Sequence, residues 1–257
     1  MARPPAHDST VPEILAAAHH PRHIRNRLSL QKNPSYLKDF IYGAIDGAVT
    51  TFAVVSGVAG AGLTSSIVLI LGVANLIGDG FSMAAGNFLG TQAELEQMSK
   101  LRQMEQQHIN EVPDGEREEI RQIFREKGFE GELLDRVVEV ITADDHRWIE
   151  TMLQEEHGVS LTPTSPWRAA TTTFVAFLFV GAIPLIPFVF SFGGSNLIET
   201  PFLASTVLTG LAFFSVGAFK SWFVEQHWLR AGLETLLVGG LAAGLAYLCG
   251  LALGGLK

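Results

Sequence analysis

The chain has 257 residues, of which 47% are hydrophobic and 17% charged, with a mean hydropathy of +0.26 and a formal net charge of −8. A globular domain usually has roughly one quarter charged residues, so this composition favours a membrane protein. The single cysteine excludes a disulfide framework and a cysteine-ligated metal site, and the sequence has neither a Gly-rich phosphate loop followed by Lys nor the basic aromatic patch typical of nucleic-acid binding.

Residues 1–36 are rich in Pro, His and Arg, which predicts a cytosolic tail that is largely disordered, with a short helix near 13–19. The tail has no apolar run of the signal-peptide type, so we expect the first span to act as the insertion signal. Three tail histidines are candidates for metal capture, although solvated tail residues are the commoner alternative. They are His19, His20 and His23.

Five apolar stretches are long enough to cross a hydrocarbon core of about 30 Å as helices. They are residues 40–63, 66–89, 169–192, 201–222 and 229–256. Pro184 and Pro187 predict a kink in the third span, which membrane helices tolerate when neighbours satisfy the freed backbone groups. The sequence therefore predicts an all-α integral membrane protein with spans one and two in 37–90 and spans three to five in 167–257.

Basic residues indicate the orientation through the positive-inside rule. Five of them lie between Arg22 and Lys38, whereas the turn after span one has no charge. Three indoles fall at the same predicted interface, where this side chain prefers to lie. They are Trp167, Trp222 and Trp228. We therefore expect the N-terminus and the region between spans two and three in the cytosol, and the C-terminus outside.

The region 91–166, between spans two and three, is strongly acidic. Thr91 to Arg168 holds 18 acidic and 9 basic residues, against 8 and 9 in the rest of the chain. We expect three helices here: a continuation of span two to about residue 110, then 116–127 and 131–157. Pro113, Asp114 and Gly115 predict a turn before the second helix. This region, the acidic insert, is predicted as a three-helix cytosolic metal-binding domain.

Carboxylates at bilayer depth form the first candidate site. Asp46 lies in span one and Asp79 in span two, and such residues are costly and usually face a transport pathway. Asn75, Asp79 and Met83 share one helix face, since they are spaced i, i+4 and i+8. An amide, a carboxylate and a thioether together suit a divalent transition ion. The alternative is that the two acids cap or hydrogen-bond neighbouring helices.

Other polar or small residues in the spans have two interpretations each. Gly43 and Gly47 flank Asp46 and are expected to make room for an ion, with generic helix packing as the alternative. Glu234 and Lys220 are candidates for an ion or proton path. Polar packing is the alternative for Glu234, and interfacial snorkelling is the alternative for Lys220.

Three pairs of ligand-type residues occur at helical spacing in the acidic insert. They are Glu105 with His108, Glu116 with Glu119, and Met152 with Glu156. Oxygen and imidazole ligands suit Fe(II), Mn(II) or Zn(II), and methionine adds a softer donor. A single pair of this kind usually lies on a solvated helix face. Three pairs on consecutive helices of an acidic domain predict metal binding.

The stretch 105–108 also matches the Glu-x-x-His motif of di-iron carboxylate bundles. A membrane-tethered ferroxidase is therefore an alternative function, although the sequence has no second copy of the motif. A metal sensor or buffer without transport is a further alternative. The polar residues of spans one and two argue against it.

Several stretches resemble the vacuolar iron transporter family over residues 37–256, and we expect a bacterial-type member. They are 39–57 (DFIYGAIDGAVTTFAVVSG), 79–89 (DGFSMAAGNFL), 105–120 (EQQHINEVPDGEREEI), 148–158, 173–187 (TFVAFLFVGAIPLIP) and 231–239 (AGLETLLVG). The resemblance implies a homodimer that exports Fe(II), and often Mn(II), from the cytosol in exchange for protons. It implies an ion path at the dimer interface that uses Asp46 and Met83, with Asp39 near the path entrance.

The resemblance also implies metal ligands in the acidic insert at Glu105, Glu116, Glu119, Met152 and Glu156. Two positions depart from the plant-type pattern: His108 stands where a Glu is expected, and Leu153 replaces the second of two adjacent methionines. Imidazole is a competent ligand, so we expect altered affinity and a steeper pH dependence at His108.

The prediction is therefore a metal transporter and not an enzyme, with no required cofactor. Fe(II) and Mn(II) are the expected ions, with Co(II) and Zn(II) as further candidates. The expected partners are protons, the lipid membrane and a second copy of the chain, without nucleic acid. A bacterial inner membrane is the expected location, or a vacuolar membrane if the source is eukaryotic. The predicted transport path consists of Asp39, Asp46, Asn75, Asp79 and Met83.

Overall fold

The computed structural model describes residues 16, 19–30, 34–192, 199–224 and 226–256. These residues are almost entirely helical and contain no strand. They form two compact units, one within Met1–Ser35 and Met104–Pro163 and the other within Tyr36–Gln103 and Thr164–Lys257. The helix expected near 13–19 lies largely outside the described residues.

The helices are numbered here in chain order. They are α1 (Pro21–Leu30), α2 (Leu37–Gly60), α3 (Ser65–Glu111), α4 (Pro113–Glu126), α5 (Gly131–Thr142), α6 (Asp145–Glu155), α7 (Pro166–Gly181), α8 (Ile186–Phe192), α9 (Pro201–Val224) and α10 (Trp228–Leu253). Short 3-10 turns occupy Ile183–Leu185 and Gly254–Leu256.

Five helical segments of the described chain are long and apolar enough to cross a membrane. They begin at Leu37, Ser65, Pro166, Pro201 and Trp228, which confirms the five predicted spans. Large apolar side chains on these segments face outward, among them Phe179 at 76% and Leu241 at 69% exposure. An outer surface of this kind requires lipid, and the protein is a multi-pass integral membrane protein.

The third span is interrupted at its two prolines, as predicted. Helix α7 ends at Gly181, and the 3-10 turn Ile183–Leu185 leads into α8. Proline lacks the backbone donor that a continuous helix needs. The Ser205 hydroxyl of α9 donates to the Pro184 carbonyl at 2.7 Å, so a neighbouring span satisfies this buried acceptor.

The core of the membrane unit surrounds Phe177 of α7, which is fully buried. Phe52 and Val55 of α2, Leu76 of α3 and Phe213 of α9 belong to the same apolar cluster. Helix α2 lies between α7 and α10 and packs closely on both. This arrangement leaves one face of α2 for α3.

Two glycines explain how α2 approaches α7 so closely. A Cβ atom at Gly43 would meet the carbonyl oxygen of Thr173, and one at Gly47 would meet that of Phe177. Both positions are therefore filled by the backbone of α7. The prediction that these glycines make room for an ion is wrong, and they serve helix packing instead.

The acidic insert differs from the prediction in two places. Pro113 opens α4 and does not belong to a separate turn, because proline is well suited to the first helical position. The helix expected over 131–157 is two helices, α5 and α6. The Asp144 side chain accepts a hydrogen bond from the Arg147 backbone N–H at 2.8 Å, which caps the start of α6. The insert therefore comprises the end of α3 with α4, α5 and α6.

The α2–α7 contact predicts that Gly47→Ala destabilises the membrane unit by about 1–3 kcal/mol, because the added methyl group collides with backbone atoms that have little freedom to move. Gly244→Ala in α10 is the matched control, since nothing lies within 4 Å of a Cβ atom there. The control should be neutral or slightly stabilising because Ala is the better helix former. Thermal unfolding of both variants in detergent measures the difference, and equal melting temperatures would contradict this packing.

Candidate functional site

A row of polar side chains lies where α2 and α3 face each other, and we call it the polar seam. Helix α2 contributes Asp39, Asp46 and Thr50, and α3 contributes Asn75, Asp79, Met83 and Asn87. All seven are partly buried. The seam therefore contains every residue predicted for the transport path, together with two that were not.

At each end of the seam, an asparagine of α3 donates a hydrogen bond to a neighbouring helix. The Asn87 amide donates to Asp39 Oδ1 at 2.8 Å and to Thr173 Oγ1 of α7 at 2.7 Å. At the other end, the Asn75 amide donates to Thr50 Oγ1 at 3.3 Å. These contacts link α3 to its neighbours through polar side chains.

The two asparagine contacts set an antiparallel register for α2 and α3. In antiparallel helices the numbers of two facing residues have a nearly constant sum, which is 125 for Thr50 with Asn75 and 126 for Asp39 with Asn87. The same register brings Asp46 opposite Asp79 and Tyr42 opposite Met83. Tyr42 and Met83 do line one cavity. Two carboxylates therefore face each other in the middle of the seam.

A cavity of about 570 Å³ lies at the Asp39 end of the seam. Its lining combines an ammonium group, a carboxylate, a thioether and an amide, from Lys38, Asp39, Tyr42, Met83, Gly86, Asn87 and Thr173. Oxygen and sulfur donors in this mixture suit a borderline divalent ion. Asp46 is seven residues further along α2 than Asp39, or about 10 Å deeper by helical rise.

Sequence reasoning missed Thr50, Asn87 and Thr173. Thr50 lies four residues after Asp46, one helical turn further along α2. Asn87 continues the four-residue spacing of Asn75, Asp79 and Met83, so the stripe itself held the signal. Thr173 belongs to a different span, and no spacing within one helix could have identified it. The seam is thus partly a product of tertiary packing.

A second candidate site lies in the acidic insert. Two groups of three residues have ligand atoms within 4.8 Å of one another. The first is Glu105, His108 and Glu116, and the second is Glu105, Glu156 and His157. Glu105 belongs to both groups and is only 1% exposed, and Glu116 is 5% exposed.

Each group contains a close contact between an imidazole and a carboxylate. His108 Nδ1 lies 3.2 Å from Glu116 Oε1, and His157 Nε2 lies 2.8 Å from Glu105 Oε1. The other oxygens of these acids, Glu105 Oε2 and Glu116 Oε2, are buried without a hydrogen-bond partner within the described part of the chain. Unpartnered buried carboxylate oxygens are costly, and a metal ion is the kind of group that satisfies them.

The surroundings of Glu116 and Glu156 disfavour the ionised forms of these two carboxylates in the absence of a cation. Burial, with added repulsion from neighbouring carboxylates, raises the pKa of the Glu116 carboxyl from its ordinary 4.5 to about 7, and His108 opposes part of this change. Burial likewise raises the pKa of Glu156, which His157 opposes. A bound divalent cation reverses this preference because it favours the ionised form.

The residues predicted to bind metal in the insert are divided by the structure. Four lie in the two groups: Glu105, His108, Glu116 and Glu156. Glu119 is exposed and belongs to neither group. Met152 is fully buried, as is Leu153 beside it. His157 was not predicted, because its contact with Glu105 joins positions 52 residues apart.

The remaining candidates from the sequence lie elsewhere. His20 and His23 are exposed neighbours with ring centroids 6.2 Å apart, and within the described residues they belong to no group of three metal ligands. Glu234 pairs with Arg230 at 3.2 Å on the same helix, which agrees with polar packing.

The pKa of Glu116 gives a prediction about stability and pH. Its ionisation costs folded-state stability, so the metal-free protein should lose stability as pH rises from 4.5 to about 7. Glu116→Gln lacks this loss and should raise the melting temperature in chelator at about pH 8 but not at about pH 5. Added metal should stabilise the wild type more than the variant.

Glu118→Gln is the control for this prediction. Hydrogen bonds from Gln122 and Arg121 lower the pKa of Glu118, so its ionised form supports the fold. Removing its charge should therefore lower stability at the higher pH, which is the opposite sign. The same pH trend in both variants would contradict the electrostatic account of Glu116.

Comparison with known proteins covers both the seam and the insert. The sequence profile of the VIT family matches residues 37–251. A vacuolar iron transporter of Plasmodium berghei (strain Anka) is 32% identical over 231 residues, which cover 88% of this chain and 84% of that protein. Vacuolar iron transporter 1 of Eucalyptus grandis and its namesake of Arabidopsis thaliana are each 30% identical over 212 residues, or 82% of this chain and 84% and 83% of those proteins. On these matches, the chain belongs to the VIT family.

Proposed function

We propose that this protein is a transporter, not an enzyme, that exports Fe(II) and Mn(II) from the cytosol in exchange for protons. Its relatives named as vacuolar iron transporters support the choice of iron. The observation that carries the proposal is the polar seam, in which the register of α2 and α3 sets Asp46 opposite Asp79, next to a cavity lined by Met83. Groups this costly to keep in a membrane usually line a pathway.

Charge balance accounts for the exchange of metal against protons. Ionised Asp46 and Asp79 together balance one divalent cation, and two protons balance them equally well. Both states avoid the net charge that makes isolated carboxylates unfavourable inside a membrane. We therefore expect two protons to be exchanged for each metal ion.

The Met83 thioether supports selection at the start of the path. Mg(II) and Ca(II) are hard cations that prefer oxygen ligands, whereas a thioether favours borderline and softer ions. Asp39 and Asn87 lie in the same cavity and supply oxygen donors beside the sulfur. An ion accepted there continues along the seam to Asp46 and Asp79.

The acidic insert serves as the metal-gathering domain on the cytosolic side. Its two ligand groups offer buried carboxylate oxygens that lack partners among the described residues. The basic residues before span one support a cytosolic N-terminus and insert and an outward C-terminus. The exposed indoles at one end of three spans place a membrane interface at the end where these basic residues lie. These indoles are Trp167, Trp222 and Trp228.

A second copy of the chain would complete the path as a homodimer. Helix α3 carries small residues at every fourth position beside the seam, all exposed. They are Ala74, Gly78, Ser82, Gly86 and Gly90. A Cβ atom at any of these three glycines would meet nothing within 4 Å. Such spacing allows two membrane helices to pack closely, and a partner here would cover the open side of the seam.

The homodimer predicts that Gly78→Leu converts the protein to a monomer in detergent, because the larger side chain separates the two copies of α3. Gly240→Leu in α10 is the matched control, since its surroundings are equally open. Light scattering of the purified proteins measures their mass. If Gly240→Leu were monomeric and Gly78→Leu still dimeric, the dimer interface would lie on α10 and not on α3.

The transport proposal predicts that Asp46→Ala abolishes metal uptake. The test uses the full chain in proteoliposomes with a dye inside that Fe(II) quenches and with the interior acidified. Glu234→Gln is the matched control, because Glu234 is a carboxylate in a span that pairs with Arg230 and lies outside the seam. It should leave uptake unchanged.

If the Asp46→Ala variant took up metal as fast as the wild type, the transport proposal would be wrong. Oxygen consumption in the same preparation tests the ferroxidase alternative, since an oxidase consumes oxygen faster than Fe(II) does by autoxidation in protein-free liposomes. Binding to the insert without any flux would point to a sensor or buffer. Competition with Mn(II), Co(II) and Zn(II) in the same assay measures the preference among ions.

A further inference from the structure

His157 lies against Glu105 in a position that suits a metal ligand. Its Nε2 atom is 2.8 Å from Glu105 Oε1 and 3.8 Å from Glu156 Oε2. The side chains of His157 and Glu105 are only 18% and 2% exposed, so most of the surroundings are protein. An imidazole nitrogen between two carboxylate oxygens is the arrangement from which an ion can replace a proton without a large rearrangement.

The second, unpartnered oxygen of Glu105 points to a ligand independently of this contact. Glu105 Oε2 is buried and accepts no hydrogen bond from the described residues. Two ligands of one tetrahedral zinc ion, each at about 2.1 Å, lie about 3.4 Å apart. Within each group the ligand atoms lie within 4.8 Å of one another, so the widest pair has to close by at most about 1.4 Å on binding, which side-chain rotation can supply.

We infer that His157 is a metal ligand of the acidic insert, so that Glu105 bridges two sites that each contain one imidazole. The inference rests on the proposed metal-gathering function of this insert. One site consists of Glu105, His108 and Glu116, and the other of Glu105, Glu156 and His157. Both sites therefore combine nitrogen and oxygen donors.

Two imidazoles determine which ions the insert prefers. Carboxylates and water suit Mn(II), whereas imidazole favours Co(II) and Zn(II), which also stand higher in the general order of divalent affinities. Glu105 shared between two ions also keeps them close, and the three carboxylates of the two sites balance three of the four positive charges that two divalent ions carry. The insert consequently binds Co(II) and Zn(II) more tightly than Mn(II).

The test measures Co(II) and Mn(II) affinities of the full chain in detergent by competition with a coloured chelator. His157→Gln should weaken the tightest class of Co(II) binding by at least about tenfold, but Mn(II) binding by less than about threefold. His146→Gln is the matched control: His146 is an exposed histidine of α6 that contacts Glu150 at 3.5 Å. It should change neither affinity by more than about twofold.

His157→Glu distinguishes a ligand from a merely structural contact. Glutamate keeps a ligand at this position but exchanges nitrogen for oxygen, so Co(II) affinity should fall while Mn(II) affinity stays within about threefold. Equal losses for both ions in either variant, or no loss in His157→Gln, would overturn the inference while leaving the metal-gathering function in place. A wild-type chain that binds neither ion would overturn that function as well.

Discussion

A carboxylate inside a membrane has no water to stabilise its charge, so the surrounding protein must balance it. In this chain the carboxylates of the polar seam lie at the contact between α2 and α3, so their charge has to be balanced there. Amides fix its two ends, through Asn87 to Asp39 and through Asn75 to Thr50. Between these anchors Asp46 and Asp79 face each other, and any cation that balances them must lie in the seam.

The packing of the membrane unit can be understood from this requirement. Gly43 and Gly47 allow α2 to press its small face against the backbone of α7, which leaves its polar face for α3. Helix α3 in turn buries an apolar stripe that includes Val68 and Leu76 in the common core. Its polar stripe lies next to the apolar one and meets α2. On each of these two helices, therefore, one face packs against neighbouring helices and another face carries the polar side chains of the seam.

The acidic insert applies the same physics outside the membrane. Glu105 and Glu116 are nearly fully buried although each is an acid. Histidine contacts stabilise one oxygen of each, and the other oxygen has no partner among the described residues. A domain that keeps such groups without a cation gives up stability, which the raised pKa of Glu116 expresses. If the insert binds a cation as we propose, binding and folding of the insert are expected to be coupled.

The sequence was sufficient for most properties that depended on one helix. Span length and apolarity predicted the five crossings, prolines predicted the break in the third, and four-residue spacing put Asn75, Asp79 and Met83 on one face. It was insufficient wherever two elements met. The contact between His157 and Glu105 and the close approach of Gly43 to the backbone of α7 both depend on tertiary packing. The cap at Asp144 is local, but helical periodicity over 131–157 concealed it.

We propose that a metal ion occupies the seam between Asp46 and Asp79. An anomalous difference map, recorded at the cobalt absorption edge from crystals of the full chain grown with Co(II), tests this proposal directly. We expect a peak in the seam, close to these two carboxylates and to Met83, in addition to any peaks in the insert. Anomalous peaks confined to the insert, with none along the seam, would contradict it.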